Sequence, residues 1–204
     1  FDVVLLSTTF IWERRSLSRA IRWTEERFPG ARVVLGGQYS NLKYRQILQT
    51  HPGVFAVVLG DAEAALPALL KALDKGTDLS AVPNLALRDP LSGVVRQSNL
   101  EYVDLDAEPS PTIDGYASVV PYESMRGCPF SCRFCSFPAA SPKWRFKSAE
   151  KIRDDFARYR DQNGTRYIRA LDSTFTVPPA RFRRLLPMLE KLDVGWEAFS
   201  RANA

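Results

Sequence analysis

The stretch Arg126-Gly-Cys-Pro-Phe-Ser-Cys-Arg-Phe-Cys135 contains every cysteine of the chain, at the spacing C-x3-C-x2-C. Local cysteine runs of this kind commonly hold a cubane four-iron four-sulfur cluster, in which Cys128, Cys132 and Cys135 would each bind a different iron. The fourth iron is then left without a cysteine. An iron with an open position can bind a substrate or a cofactor, so the spacing indicates chemistry beyond electron transfer.

Two simpler interpretations of the cysteines, a structural zinc site and a disulfide, fit the sequence less well. A structural zinc site needs four ligands, usually as two pairs, and the single histidine, His51, lies far upstream without a paired ligand. A disulfide would leave one odd thiol, and three cysteines in one loop do not make the dispersed framework of a small secreted protein. A non-catalytic module that holds zinc or a structural cluster stays open as an alternative.

The motif C-x3-C-x-aromatic-C, with Phe134 before Cys135, resembles the cluster loop of the radical S-adenosylmethionine (SAM) superfamily. The resemblance implies that Cys128, Cys132 and Cys135 bind the cluster and that Phe134 lies beside the cofactor. In that family the open iron binds the amino and carboxylate groups of SAM. An electron from the cluster then cleaves SAM to a 5'-deoxyadenosyl radical, so the cofactors supply the chemistry and the protein supplies their placement.

The composition sets broad limits on the class of protein. With 204 residues, 45% hydrophobic and 25% charged, the chain suits one or two globular domains with a proper core. We expect no membrane span, and the net charge of +5 does not require nucleic acid as a partner. Three clustered cysteines fit a reducing, cytoplasmic setting. Because Phe1 opens directly on an apolar strand and Ala204 follows soon after another, we also expect a longer protein.

The first 75 residues predict an α/β domain, because short apolar runs alternate with amphipathic segments. Such an alternation forms a parallel, doubly wound, Rossmann-like sheet whose ligand site lies at the carboxyl ends of the strands. The predicted strands are 2–7, 32–37 and 53–60, and the predicted helices are 13–28, 42–49 and 62–74.

This half resembles a cobalamin-binding domain, in which a serine at one strand end precedes a Gly-Gly pair at the next strand end. Here 28 residues lie between Ser7 and Gly36-Gly37, and Thr9 stands where the family has leucine. The segment Gly60-Asp-Ala-Glu63 is similar to the family's Gly-Glu-Gly-Glu turn, with two residues changed. The resemblance implies that Ser7, Gly36 and Gly37 contact cobalamin. Strand ends also carry serine and Gly-Gly for turn geometry alone, and that alternative stays open.

The remaining chain divides into a connector and a second domain. Residues 76–119 predict a β-hairpin, formed by 84–88 and 94–96, followed by a solvated linker over 104–114. Residues 120–204 predict strands over 121–125, 165–171 and 194–199, with a helix from the Ser148 N-cap to about Asn163 and a second helix over 178–192. As the family implies, this pattern resembles the first half of a partial (β/α) barrel whose active face is its carboxyl end.

Polar residues that follow the predicted barrel strands are candidates for binding SAM. Asp172 and Ser173 follow the second strand, and Ser200 and Arg201 follow the third. Related enzymes contact the methionine amino group from the turn after the second strand, and an arginine could pair with the carboxylate in a bidentate way. Helix capping by Asp172 or Ser173 is an equally open alternative, and for Arg201 the alternative is a solvated side chain at a strand end.

Two basic groups were given structural interpretations. The segment 143–147 interleaves basic and aromatic residues, as single-stranded nucleic acid sites do, but we interpret it as an extended piece leading to Ser148. Nucleic acid is therefore not an expected partner. Arg181, Arg183 and Arg184 are expected on a solvated helix face.

The resemblance implies a radical SAM enzyme that uses a 4Fe-4S cluster, SAM and cobalamin. We expect it to methylate a small-molecule or peptide substrate, with an external electron donor. Radical cyclisation or rearrangement without methyl transfer is a second possibility, and the non-catalytic metal module is a third. Beyond the cluster ligands, no catalytic residue is assigned from the sequence.

Overall fold

The computed structural model describes residues 2–202, and the chain divides between Val103 and Asp104 into two compact units. No helix within the described residues is both long and apolar enough to cross a membrane.

The first unit is built on a five-stranded sheet in the order β1-β2-β3-β4-β5. Its strands are β1 Val3–Ser7, β2 Arg32–Gly36, β3 Val54–Val58, β4 Leu85–Arg88 and β5 Val95–Gln97. The first three strands are parallel, and β4 and β5 are antiparallel to their neighbours. The hairpin that the sequence places in the connecting region therefore extends this sheet, because β4 pairs with β3.

Helices cover both faces of this sheet, as a doubly wound fold requires. They are α1 Arg14–Arg27, α2 Gln38–Thr50 and α3 Ala65–Lys75. Successive β2 residues face opposite sides, so Val33 and Leu35 pack with α1 and α2, whereas Val34 packs with α3. The predicted α/β class is confirmed. Helix α2 begins at Gln38, four residues before its predicted start, because Gly37 at φ +100° turns the chain directly from β2 into the helix.

The second unit contains a parallel sheet in the order β10-β9-β6. Its strands are β6 Val119–Tyr122, β9 Tyr167–Ala170 and β10 Gly195–Ala198, and the helices α5 Ala149–Asn163 and α6 Pro179–Leu189 follow β6 and β9 in the chain. Phe156, Ile152 and Leu185 are fully buried in the core beneath this sheet. Within the described residues the sheet is open, as expected for part of a barrel.

The predicted strand 121–125 is divided in two. β6 ends at Tyr122, and β7 Met125–Arg126 pairs antiparallel with β8 Arg145–Phe146 in a separate two-stranded ribbon. A short helix, α4 Phe137–Ala140, lies between them in the chain. The ribbon therefore closes a loop, residues 127–144, that contains all three cysteines.

The predicted solvated linker over 104–114 is wrong for part of its length. Leu105 is 3% exposed and Ser110 is 7% exposed. The hydroxyl of Ser110 donates to the buried carboxylate of Asp155 at 2.5 Å, and the Tyr159 hydroxyl donates to the Pro111 carbonyl at 2.7 Å. Asn163 donates to the Ile113 carbonyl at 2.7 Å. Side chains of α5 thus hold the segment by bonds that local sequence composition does not reveal.

Candidate functional site

The cysteine loop follows β7, beyond the carboxyl end of β6. All three cysteines are free thiols, with Cys128 and Cys132 half-buried and Cys135 exposed. The Cys135 amide donates to the Cys132 carbonyl at 3.0 Å, which folds this part of the loop into a turn. Phe134 is 92% exposed on the same turn. The loop thus presents Cys135 and the Phe134 ring toward solvent, with the other two cysteines partly covered.

Gly127 fixes the point where the loop leaves the ribbon. Its φ of +77° favours glycine, and a Cβ atom there would lie 2.6 Å from the Lys143 carbonyl oxygen and 2.9 Å from the Trp144 Cα. The two ends of the loop therefore approach more closely than any side chain would allow.

Asp172, predicted to bind cofactor or cap a helix, makes different contacts. Its carboxylate accepts hydrogen bonds from the Ser124 amide at 2.8 Å, the Ser124 hydroxyl at 2.5 Å and the Met125 amide at 3.0 Å. It is 3% exposed, and α6 begins after Pro178 without a side-chain cap. The helix-capping alternative is wrong, and the carboxylate is committed to the turn between β6 and β7.

The other residues predicted after β9 and β10 lie at the same sheet edge. The Ser173 hydroxyl donates to the Gly127 carbonyl at 2.9 Å, directly before Cys128. The Ser200 hydroxyl instead pairs with Thr176 at 2.6 Å. The Arg201 guanidinium stacks 4.0 Å from the Phe130 ring centroid, and its Nη1 lies 3.8 Å from the Cys132 sulfur. The structure therefore brings Ser173 and Arg201 to the cysteine loop.

Arg181 was expected on a solvated face, and that prediction is wrong, because the residue is 7% exposed. Its guanidinium donates to the carbonyls of Phe175 at 2.6 Å, Ser124 at 3.3 Å and Lys147 at 3.4 Å. A sequence signal did exist. Arg181 precedes Leu185 and Leu189 at intervals of four, so it lies on the buried stripe of α6.

Burial shifts the pKa values of Asp172 and Arg181, in each case against the charged form. Loss of solvent raises the pKa of Asp172, against the lowering effect of the Ser124 and Met125 hydrogen bonds and of Arg181. Loss of solvent likewise lowers the pKa of the Arg181 guanidinium, against the opposing effect of Asp172.

The donor set of the loop fits an iron-sulfur cluster. Thiolate sulfur is the ligand such clusters take, and the three thiols are unpaired on one exposed loop beside a cationic side chain. Among residues 2–202, no three His, Cys, Asp or Glu side chains converge on a single metal ion. A separation of the three thiols is compatible with a cubane cluster, because each cysteine would bind a different iron.

A second candidate site lies at the carboxyl edge of the first unit's sheet. Ser7 and Gly36 are direct partners in the β1–β2 register, so the structure brings the predicted Ser7, Gly36 and Gly37 together. The Ser7 side chain is exposed, with its hydroxyl 3.2 Å from the Thr9 hydroxyl. Gly60, at φ +65°, follows β3 at the same edge. The arrangement offers hydroxyls and bare backbone to a ligand.

Thr8 and Ser40 hold this edge together, a role that no sequence pattern predicts. The buried Thr8 hydroxyl donates to the Gly36 carbonyl at 2.8 Å and accepts from the Ser40 amide at 3.0 Å. The Ser40 hydroxyl donates to the Gly37 carbonyl at 3.0 Å. A Cβ at Gly37 would lie 2.8 Å from the Thr9 amide nitrogen, so Gly37 is required by this packing itself.

Two known protein families match this chain, one in each half. Residues 1–70 match the B12 binding domain, and residues 122–200 match the radical SAM superfamily. An uncharacterized methyltransferase of Pyrococcus horikoshii is 30% identical over 84% of this chain and 40% of its own length. The cobalamin-dependent radical SAM methyltransferase TokK of Streptomyces tokunonensis is 29% identical over 78% of this chain and 26% of its own length.

A solved structure shares the fold. The cobalamin-dependent SAM radical enzyme OxsB, with aqua-cobalamin and SAM bound, aligns with a TM-score of 0.73 and 21% identity. The alignment covers 97% of this chain and 30% of that one. The chain thus spans less than half the length of these relatives.

Proposed function

Since the chain belongs to the cobalamin-binding branch of the radical SAM superfamily, we propose that the protein is a radical SAM enzyme that methylates its substrate with the help of cobalamin. The observation that carries the proposal is the combination of two strand-edge sites in one chain. One presents three free thiols, and the other presents an exposed serine with a Gly-Gly turn.

The bound groups supply the reactive chemistry, because SAM and the cluster generate the 5'-deoxyadenosyl radical and cobalamin carries the methyl group. The protein holds these groups in place. Cys128, Cys132 and Cys135 would provide the three thiolates, and Phe134 would lie beside the iron that has no cysteine. Ser173 and Ser200 line the edge from the neighbouring strand ends.

Arg201 is the residue we assign to the carboxylate of SAM. A guanidinium has five N–H donors, and the contact with Cys132 uses one of them. Stacking on Phe130 holds the guanidinium plane, which favours bidentate pairing. Asp172 is not assigned to the SAM amino group, because its oxygens already accept bonds from Ser124 and Met125.

The first unit provides the cobalamin site in this proposal. The exposed Ser7 hydroxyl can bond to the nucleotide tail of the cofactor. Gly36 and Gly37 let backbone approach a large ligand, as glycines at strand ends do. Cobalamin would lie along the edge defined by β1, β2 and β3.

The protein also needs partners. We propose a small-molecule or peptide substrate, an external electron donor for the cluster, and a reducing compartment such as the cytoplasm. Nucleic acid is not proposed, since Lys147 of the basic segment is buried against Asp155, with the two side chains 3.3 Å apart.

Anaerobic reconstitution tests the proposal. The protein should take up about four iron and four sulfide per chain, as one cubane cluster requires. It should then form 5'-deoxyadenosine from SAM under reduction and retain cobalamin through gel filtration. One zinc without sulfide would contradict the enzyme assignment in favour of a structural metal module. Cluster uptake without cobalamin retention would contradict the second cofactor alone.

A further inference from the structure

We propose that Asp172 and Ser173 are a positioning pair that holds the base of the cysteine loop, so that its three thiolates keep the spacing a cluster needs. This inference rests on the proposed function in one respect, that the loop holds a cluster.

The loop base is residues 124–127, which lead directly into Cys128. Two residues, Arg126 and Gly127, separate Met125 from that cysteine. An error in the direction of this short segment would therefore move the first thiolate, and through the loop the other two.

Asp172 fixes the start of the loop base. Its carboxylate accepts hydrogen bonds from the backbone amides of Ser124 and Met125 and from the Ser124 hydroxyl. Ser124, Met125 and Asp172 are all buried. Removing the carboxylate would therefore leave two backbone amides without a hydrogen-bond acceptor and out of reach of water.

Ser173 fixes the end of the loop base. Its hydroxyl donates to the Gly127 carbonyl at 2.9 Å, the last peptide group before Cys128. Asp172 and Ser173, which are adjacent in the chain, thus hold the start and the end of the loop base.

Arg181 supports the same segment from α6. It donates to the Ser124 carbonyl at 3.3 Å and to the Lys147 carbonyl at 3.4 Å, and the Lys147 amide donates to Ser124 in turn at 2.8 Å. The turn is therefore bound on its amide side by Asp172 and on its carbonyl side by Arg181. A segment held at both sides is fixed in direction as well as in place.

The test compares cluster release rather than activity. The reconstituted protein is exposed to an iron chelator, and the cluster absorbance is followed in wild type, Asp172→Ala, Asp172→Asn and Ser173→Ala. Asn163→Ala is the matched control, because Asn163 is a buried side chain that holds backbone carbonyls of Ile113 and Gly115, away from the loop. Thermal unfolding of each cluster-free variant reports general destabilisation.

We expect Asp172→Ala to release the cluster about tenfold faster or more, as is typical when a group that orients metal ligands is removed. Ser173→Ala should accelerate release roughly two- to tenfold, because it removes one neutral hydrogen bond. Asp172→Asn keeps one carbonyl oxygen for the two amides, so it should restore near wild-type release and an unchanged electron paramagnetic resonance spectrum of the reduced cluster. Asn163→Ala should lower the unfolding temperature without accelerating release.

The outcomes separate the two claims. A wild-type protein that takes up no cluster contradicts the proposed function. Wild-type uptake with unchanged release in both Asp172→Ala and Ser173→Ala overturns the positioning pair. Equal acceleration in Asn163→Ala also overturns it, since general destabilisation would then explain the effect. Should Asp172→Ala not fold, Ser173→Ala decides alone, because Ser173 is only half-buried.

Discussion

The strand ends of the first unit carry hydroxyls and glycines, whereas those of the second unit carry three cysteines above a buried carboxylate and a buried guanidinium. In the first unit, Thr8 and Ser40 hold the edge with neutral hydrogen bonds. In the second, Asp172 and Arg181 hold it with hydrogen bonds from buried ionisable side chains, although burial disfavours the charged form of each. The first edge therefore depends on neutral hydroxyl groups, whereas the support of the cysteine loop depends on ionisable groups that are buried.

The largest expected effect tests the independence of the two sites. Replacing Cys128, Cys132 or Cys135 with alanine should abolish cluster uptake and SAM cleavage, because each removes one of only three thiolates. Cobalamin retention should be unchanged, since Ser7 and Gly36 belong to the other sheet. Iron analysis and gel filtration with cobalamin check both halves. Loss of cobalamin together with the cluster would show that the two sites are not independent.

The two adjacent glycines of the first unit should behave differently. Gly37→Ala should destabilise the protein by about 1–3 kcal/mol, because it combines a positive φ with a collision against Thr9. At Gly36 a Cβ meets nothing closer than the Val58 carbonyl at 3.9 Å, so Gly36→Ala should preserve stability and weaken cobalamin binding.

Urea unfolding and cobalamin titration of the two variants measure this difference. If Gly36→Ala binds cobalamin as tightly as wild type, the cofactor does not approach the β2 end, and the Gly-Gly pair serves the turn alone.

The second unit contains two buried carboxylates whose pH dependence should be opposite. For Asp155, burial raises the pKa, but hydrogen bonds from Ser110 and Tyr122 and the charge of Lys147 lower it below 3.8 overall. Its stabilising contribution is therefore present above pH 3.8 and is lost as the pH falls through the lowered folded-state pKa. Asp155→Asn should cost stability at neutral pH and progressively less on acidification.

For Asp172 the stability changes with pH in the opposite direction, because burial raises the folded-state pKa above 3.8. Its contribution is fully present below pH 3.8 and is lost as the pH rises through the raised folded-state pKa. Asp172→Asn should therefore gain stability relative to wild type as the pH rises from 3 to 7. Unfolding free energies of both variants across this range check the signs. Parallel pH profiles for the two would contradict the assignment of opposite environments.

The smallest effect concerns Arg201. Arg201→Lys keeps the positive charge but loses the planar contact with Phe130, a cation–π interaction of about 0.5–1 kcal/mol. We expect a severalfold weaker SAM affinity with unchanged iron content. Isothermal titration with SAM measures it, and Arg183→Lys on the outer side of α6 is the matched control. An equal affinity in both variants would remove Arg201 from the SAM site.

Much of this architecture could be predicted because its signals are local. Apolar runs and amphipathic periodicity located the three parallel strands of each unit, and strand ends in parallel sheets converge on one edge. Ser7 and Gly36 were therefore expected together, and they are register partners.

The remainder depends on partners that are distant in sequence. Asp172 bonds to residues 47 and 48 positions away, so local patterns could not distinguish a cofactor ligand or helix cap from a turn anchor. The division of strand 121–125 follows from pairing with β8, and the position of the hairpin follows from pairing between β4 and β3. The burial of Arg181 likewise depends on distant partners, because the backbone carbonyls of Ser124 and Lys147 accept hydrogen bonds from its guanidinium.

The ribbon formed by β7 and β8 has a consequence for the chain entropy of the cysteine loop. Joining the ends of an open segment the length of residues 127–144 costs about 2.5 kcal/mol in lost conformational freedom, by the logarithmic scaling of loop closure. Antiparallel pairing and the packing at Gly127 have already joined those ends within the folded chain. Cluster assembly then has to order only a loop whose ends are already joined. Folding of the chain therefore lowers the entropy cost of cluster assembly.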